Sequence, residues 1–149
     1  DGPGWLIDPN LLPIVSIALV DVWKGVGIAT LIYIAGMAAI PRDYYEASSI
    51  DGASTRQQFY KVTIPLVRPA MFSVIILSFV GGLRSFDLIW AMTGGGPGFI
   101  SDVLASINYK QYTSGYYGLS TAGNVILFVL VSILVFPLSR YLNKKEVVM

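Results

Sequence analysis

The sequence predicts an all-α fold: a polytopic bundle of three membrane-spanning helices, with a helix–turn–helix between the first two spans and a short interfacial helix before the third. Composition is the first indication, because the 149 residues are 54% hydrophobic and only 13% charged. A soluble domain has about a quarter of its residues charged. The apolar residues also form three long runs. Each run reaches the roughly 20 residues that a helix needs to cross a bilayer.

The predicted spans lie at about residues 11–40, 69–90 and 119–138. The first run is the longest, and charged residues and glycines interrupt it. It is therefore either one long tilted helix or a helix broken near Gly25. A buried helix of a soluble protein can also be apolar on every side, but three such runs leave no other residues to cover them. We therefore expect a lipid bilayer around the spans.

Basic residues are concentrated in two segments. They are Arg42, Arg56, Lys61 and Arg68 in the loop 41–68, and Arg140, Lys144 and Lys145 after the third span. The loop 91–118 carries only Lys110. Both basic segments fall on one side of a three-span chain, and basic loops stay in the cytoplasm. We expect the loop 41–68 and the C-terminus to be cytoplasmic and the loop 91–118 to be outside.

The chain contains neither histidine nor cysteine. It therefore lacks the commonest metal ligand and general base, and it can form no disulfide or thiolate site. The acidic residues are scattered and form no acid–base cluster. The net charge of +1 gives no reason to expect a nucleic acid partner. We expect no enzyme activity, no cofactor and no metal site in this chain.

The loop 41–68 begins with a short predicted helix. Pro41 suits the first turn of a helix, and the acidic Asp43 and Glu46 are favourable near its positive end. Gly52 stands where the end of a helix favours a left-handed residue. The pattern predicts a helix followed by a sharp turn at Gly52.

A second short helix is predicted after the turn. Ser54 or Thr55 can cap it, and it runs to Val62. Pro65 and Pro69 should separate this helix from the second span, because proline interrupts helices. The elbow formed by the two helices exposes apolar residues among basic ones, which predicts a binding partner; these residues are Phe59, Tyr60 and Val62.

The loop 91–118 has two predicted parts. Thr93–Gly98 is too rich in glycine for a regular helix and predicts an irregular turn. Ser101 and Asp102 can then cap a short helix. Its tyrosines suit the headgroup level of a membrane, so we expect a helix on the outer surface, with an ordinary connecting loop as the alternative.

The spacing within the loop 41–68 carries a resemblance. Glu46-Ala47-Ser48, three residues, Gly52, nine residues and then Val62-Thr63-Ile64-Pro65 resembles the EAA motif of ABC importer permeases, E-A-A, three residues, G, nine residues, I-x-L-P. Every spacing agrees, and the substitutions are Ser48 for Ala, Val62 for Ile and Ile64 for Leu. The stretch 86–98, with its Gly-Gly-Gly-Pro, is similar to carbohydrate-type permeases of the maltose, lactose and glycerol-3-phosphate kind. The resemblance covers the chain from about Leu11 onward.

The resemblance implies a permease subunit of a binding-protein-dependent ABC importer in the cytoplasmic (inner) membrane of a prokaryote. Such permeases usually have more spans than three, so we expect residues 1–149 to be the C-terminal part of one transmembrane domain. The implied partners are ABC ATPase subunits, which hydrolyse the ATP, a sister permease subunit and an extracytoplasmic solute-binding protein. The implied solute is small and polar, of the carbohydrate class.

The resemblance also implies site residues in the loop 41–68, where the family's coupling helix contacts the ATPase. They are Glu46, Ala47, Ser48, Asp51, Gly52, Phe59 and Pro65.

Polar and aromatic residues near the spans predict a substrate path. Asn124 lies in an apolar span with Ser120 one turn earlier, and its amide suits sugar hydroxyls. A hydrogen bond between helices is an equal alternative for Asn124. The predicted substrate path consists of Phe86, Trp90, Ser120 and Asn124.

Charged residues three apart within the spans predict ion pairs on one helix face. Asp21 with Lys24 and Arg84 with Asp87 have this spacing, and substrate contact is the alternative.

A membrane channel or a structural scaffold without ATPase coupling is the alternative function. Thr93–Gly98 would be its filter-like element, but it lies outside the predicted spans.

Overall fold

The computed structural model describes residues 4–7 and 10–146, without the side chains of 143, 145 and 146. These residues form helices and turns and no strand, which confirms the predicted all-α class. The helices are α1 (Leu12–Ala38), α2 (Arg42–Ile50), α3 (Thr55–Leu83), α4 (Asp87–Met92), α5 (Leu104–Thr113) and α6 (Tyr117–Glu146). The basic side chain predicted at Lys145 lies outside the described part.

Three of the helices, α1, α3 and α6, are long and apolar enough to cross a membrane. Few of their residues are buried within the described chain. Exposed apolar surface of this extent is unfavourable in water. The chain is therefore embedded in a membrane, and lipid or other protein covers these faces.

The first span is one unbroken helix. Gly25 lies in its middle, and a Cβ added there would meet no atom within 4 Å. A single glycine costs a helix only about 1 kcal/mol. A membrane helix tolerates this cost because no water in the bilayer core competes for its backbone hydrogen bonds.

The prediction that Pro65 and Pro69 separate the elbow from the second span is wrong. Helix α3 runs through both prolines from Thr55 to Leu83. A π-helical turn at Phe59–Thr63 precedes Pro65 and shifts the hydrogen bonding, so that the Ile64 N–H donates to the Phe59 carbonyl. Local π adjustments of this kind accommodate proline in membrane helices.

The predicted span 69–90 contains two helices. Helix α3 ends at Leu83, and the short α4 begins at Asp87. Between them, Phe86 has a φ of −136° and a ψ of −53°, which is not helical. The sequence offers no proline at this point, so the break was not predicted.

The described residues divide into two units, one from the ranges 4–25 and 79–136 and the other from 26–78 and 137–146. In the first unit, Pro13, Ile17 and Ile89 are buried. In the second unit, α1 and α3 approach each other closely. A Cβ added to Gly36 would lie only 2.6 Å from the Cβ of Ala70. Small residues permit such close contact between membrane helices.

Candidate functional site

The turn after α2 is closed by backbone hydrogen bonds. The Ala53 N–H donates to the Ser48 carbonyl at 3.0 Å, and the Gly52 N–H donates to the Ser49 carbonyl at 3.0 Å. This is the Schellman arrangement, which needs a left-handed residue just after the helix. Gly52 supplies it with a φ of +76°. The predicted role of Gly52 in the turn is confirmed.

The start of α3 is capped by Ser54. The Gln57 N–H donates to the Ser54 Oγ at 3.4 Å, and the Ser54 N–H donates to the Gln57 Oε1 at 2.8 Å. This reciprocal pair satisfies two N–H groups that a helix start leaves free. The turn between α2 and α3 is therefore fixed at both ends.

Side chains also hold α2 against α3. The Tyr45 hydroxyl lies 2.9 Å from the Thr63 Oγ1. The Gln58 Nε2 donates to the Ser49 Oγ at 2.8 Å and to the Tyr45 carbonyl at 3.4 Å. Residues 42–63 thus form one braced element, which we call the elbow.

Most of the predicted coupling residues lie on the surface of the elbow. Glu46, Ala47, Asp51 and Gly52 are exposed, and Phe59 is 49% exposed. Ser48 and Pro65 are half-buried. The Ser48 hydroxyl donates to the Tyr45 carbonyl at 2.8 Å, so Ser48 holds the end of α2 together.

Two exposed apolar residues of α2 were not predicted as coupling residues. Ile50 is 87% exposed and Tyr44 is 53% exposed. Both belong to α2, and Ile50 is its last residue before the turn. An isoleucine next to Asp51-Gly52, at the exposed end of a short helix, was the available signal. With Phe59, they give the elbow an exposed apolar surface that suits a protein partner.

In the first unit, a cavity of about 290 Å³ gathers most of the predicted substrate-path residues. Its wall contains Phe86, Ala105, Asn108, Tyr109, Tyr112, Ser120 and Asn124. A wall of aromatic rings and a few polar groups is typical of sites for small polar ligands. Three of the four predicted residues line this one cavity.

Trp90 is the predicted residue outside the cavity wall. Its ring stacks on Phe86 with the centroids 5.7 Å apart and meets the ring of Tyr109 edge-on at 4.7 Å. Phe86 and Tyr109 are 5.1 Å apart. Trp90 therefore supports two rings of the wall.

Asn124 makes the hydrogen bond between helices that was one of its two predicted roles. Its Oδ1 accepts from the Asn108 Nδ2 of α5 at 3.1 Å. The Ser120 hydroxyl donates to the Asn108 carbonyl at 2.8 Å. The bond uses the acceptor oxygen of Asn124, so its N–H donors remain available to a solute.

The sequence reasoning missed the four wall residues of α5: Ala105, Asn108, Tyr109 and Tyr112. Both tyrosines were predicted at the headgroup level, and Ala105 and Asn108 were not considered. The signal was helical spacing, because Asn108 and Tyr112 are four residues apart, as are Ala105 and Tyr109. Residues four apart share a helix face.

The predicted caps of α5 are wrong, because both side chains have other partners. The Ser101 hydroxyl donates to the Gly96 carbonyl at 2.6 Å. The Asp102 carboxylate is 2.7 Å from the Lys110 Nζ and accepts from the Ser106 hydroxyl at 2.7 Å. These bonds hold the glycine-rich turn against α5. The helix begins at Leu104, and Val103 occupies the N-cap position.

The predicted ion pairs within one helix are replaced by a pair between helices. The Lys24 Nζ of α1 lies 2.6 Å from the Asp87 Oδ2 of α4. A spacing of three places residues on one face, but it does not exclude a nearer partner from another helix. Lys24 therefore connects the first span to the helix that follows the break at Phe86.

Metal binding by a cluster of acidic residues finds no support in the described residues, which contain no group of three or more potential ligands.

An all-helical membrane chain with a braced elbow and a solute-sized cavity of aromatic rings and a few polar groups has the features of a transport permease. The chain belongs to the family described as binding-protein-dependent transport system inner membrane components, whose profile matches residues 4–147.

Named relatives are sugar permeases. The chain is 40% identical over 127 residues to the trehalose/maltose transport system permease protein MalF of Thermococcus litoralis, covering 85% of this chain and 43% of that protein. It is 35% identical over 133 residues to the multiple sugar-binding transport system permease protein MsmF of Streptococcus mutans, covering 89% and 46%. The chain thus spans less than half the length of these two relatives.

A solved structure shares the fold. The crystal structure of a bacterial ABC transporter involved in the import of the acidic polysaccharide alginate matches with a TM-score of 0.79 and 22% identity. The match covers 97% of this chain and 51% of that chain.

Proposed function

We propose that the chain is part of a permease subunit of a binding-protein-dependent ABC importer, which moves a sugar or related polar solute across the cytoplasmic membrane. The ATP is hydrolysed by a partner ATPase subunit. The observation that carries the proposal is the elbow: its turn at Gly52 and its exposed apolar residues occur where the EAA spacing lies.

The elbow is suited to transmit force. Backbone bonds close its turn, and the side chains of Tyr45 and Gln58 brace its two helices. A braced element moves as a unit, whereas a flexible loop would absorb the movement of a partner. Membership of the family supports ATPase subunits, a sister permease and an extracytoplasmic solute-binding protein as partners.

The predicted coupling residues form the proposed ATPase contact. Glu46, Asp51 and Phe59 are exposed and available to a partner, and Gly52 sets the turn. We add Ile50, because an isoleucine that is 87% exposed gains free energy when a partner covers it. The loop 41–68 and the C-terminus are cytoplasmic in this proposal, as the distribution of basic residues predicts.

A carbohydrate is the proposed solute class. The cavity combines the rings of Phe86 and Tyr109 with the amide of Asn124. Sugars have apolar C–H faces and many hydroxyls, which aromatic rings and amides can bind together. The names of the two sugar permeases above, which include trehalose, maltose and multiple sugars, support the same class.

The substitution Gly52→Asp tests the coupling role in the assembled transporter. A side chain at a φ of +76° costs about 1–3 kcal/mol, which deforms the elbow. We expect the variant protein to insert into the membrane. Solute uptake should fall by about tenfold or more, since each 1.4 kcal/mol of lost contact between the elbow and the ATPase lowers the bound fraction by a factor of ten. Uptake and ATP hydrolysis are measured together in proteoliposomes.

Gly115→Asp is the matched control. Gly115 ends α5 in the same hydrogen-bonded arrangement, with a φ of +86° and a Tyr116 N–H that donates to the Gln111 carbonyl. It therefore suffers the same backbone strain outside the elbow and should keep uptake linked to ATP hydrolysis. Normal uptake by Gly52→Asp would refute the proposed coupling role.

A further inference from the structure

Two residues of α3 that reach the same tyrosine are five positions apart. Gln58 donates to the Tyr45 carbonyl, and Thr63 contacts the Tyr45 hydroxyl. In an α-helix, residues five apart point about 140° away from each other. In a regular α-helix, Gln58 and Thr63 could therefore not both point toward the same neighbouring helix.

The π-helical turn at Phe59–Thr63 removes this conflict. A π-helical turn contains one extra residue. Residue i+5 therefore lies at about the position that residue i+4 occupies in an α-helix. Gln58 and Thr63 therefore lie on one face of α3, toward α2. Gln58 also reaches the Ser49 hydroxyl there, so the face has three separate bonds to α2.

We propose that Tyr45, with Thr63 and Gln58, is a clamp that sets the orientation of α2 on α3, and that these three are positioning residues for the contact with the ATPase. The inference rests on the proposed coupling function and assigns roles to residues whose identity the EAA pattern does not specify. The clamp works through the residues beside it, since Tyr45 is only partly exposed while Tyr44 and Glu46 are on the surface.

The orientation matters because the exposed apolar residues come from both helices. Tyr44 and Ile50 belong to α2, and Phe59 belongs to α3. A partner contacts all three as one surface only if the two helices keep a fixed rotation relative to each other. Without the Tyr45–Thr63 bond, the hydrogen bonds of Gln58 are the remaining side-chain bonds between α2 and α3 that the described residues show.

The test removes each hydroxyl of the clamp without changing shape. Tyr45→Phe and Thr63→Val each delete one partner of the 2.9 Å bond, and Thr63→Ser retains the hydroxyl. We expect Tyr45→Phe and Thr63→Val each to lower the number of solute molecules moved per ATP by about fivefold. This is about the factor by which the loss of one ordinary hydrogen bond changes an equilibrium between two orientations of α2. Thr63→Ser should stay near the parent value.

The double variant Tyr45→Phe/Thr63→Val separates a shared bond from two independent effects. If the hydroxyls act only on each other, the double variant is no worse than the worse single variant. Copurification of the ATPase and the thermal midpoint of the complex are measured alongside, and both should stay near the parent values. Thr30→Val is the control, because within the described part of the chain the Thr30 hydroxyl donates to the Val26 carbonyl of its own helix.

Three outcomes would overturn the clamp: unchanged transport per ATP in both single variants, a double variant as low as the product of the two, or loss of coupling in Thr63→Ser. Gly52→Asp distinguishes this failure from that of the coupling function. If Gly52→Asp uncouples while the clamp variants do not, the elbow still couples and the clamp is wrong. If Gly52→Asp transports normally, the proposed coupling function is itself wrong.

Discussion

Asn124 illustrates how one side chain can hold two helices together and still face a solute. Its oxygen accepts from Asn108, and the backbone of Asn108 accepts from Ser120 one turn earlier on α6. Gly123 permits this approach, because a Cβ there would collide with the Asn108 amide. The two amides are therefore fixed at the cavity wall before any solute arrives, which lowers the entropic cost of binding.

Asn124→Leu should reduce solute uptake by about tenfold. The substitution leaves the buried Asn108 amide without its acceptor and removes two donors from the cavity, and an unsatisfied buried group costs about 1–3 kcal/mol. The initial rate of uptake of labelled sugar measures the effect over a range of concentrations.

Thr121→Val is the control on the same helix, because the Thr121 hydroxyl bonds the Tyr117 carbonyl and does not line the cavity. Unchanged uptake in Asn124→Leu would remove Asn124 from the proposed substrate path.

Residue roles were predictable where they depend on local backbone geometry. The end of α2 was predicted to need a left-handed residue at Gly52, and Gly52 has a φ of +76°. Partners from distant parts of the chain were not predictable. Lys24 pairs with Asp87, 63 residues away, instead of Asp21. The choice depends on how α1 and α4 pack, which helical spacing does not encode.

At the scale of elements, two spans approach each other closely at Gly36 of α1 and Ala70 of α3. The gap admits no additional methyl group, since the distance between the two Cβ positions would be 2.6 Å. Without a hydrophobic driving force between helices in lipid, such van der Waals contact is a main source of their association.

Gly36→Ala should therefore destabilise the pairing of α1 and α3. Overpacking of this kind costs about 1–3 kcal/mol, so the thermal midpoint of the purified complex should fall by several degrees. Adding Ala70→Gly removes the colliding methyl and should restore most of the loss.

Gly25→Ala controls for the change of residue in the same helix, because its Cβ has no neighbour within 4 Å. It should leave the midpoint unchanged or raise it slightly, since alanine favours a helix. A fall in Gly25→Ala equal to that in Gly36→Ala would contradict the close-contact explanation.

Helix α3 marks the limit of prediction for elements. Proline usually ends a helix, so Pro65 and Pro69 suggested a boundary. The structure instead has a π-helical turn at Phe59–Thr63, directly before Pro65. Proline propensity describes an isolated α-helix in water, and it does not include the alternative hydrogen bonding that a membrane helix adopts.

For the molecule as a whole, the sequence predicted the class of fold and three apolar helices, because these depend on the total amount and the clustering of apolar residues. It also predicted Phe86, Ser120 and Asn124, which the structure brings to one cavity. It did not predict Asn108 or Tyr109. Their importance comes from the packing of α5 on α6, a contact that only the folded chain reveals.

The orientation of the chain in the membrane is testable because these 149 residues contain no cysteine. Single cysteines at exposed positions report which side they occupy. Thr55→Cys lies at the start of α3 in the elbow, and Ser114→Cys lies between α5 and α6. A membrane-impermeant maleimide should label Ser114→Cys in right-side-out vesicles and Thr55→Cys in inside-out vesicles.

This expectation follows from the charge distribution, since four basic residues lie in the loop 41–68 and one lies in the loop 91–118. Labelling after denaturation in detergent controls for protection of Thr55→Cys by a bound ATPase, because both cysteines should then react equally. The reverse pattern of labelling in intact vesicles would place the elbow outside the cell. No cytoplasmic ATPase could then contact the elbow. Both the predicted orientation and the proposed coupling function would be wrong.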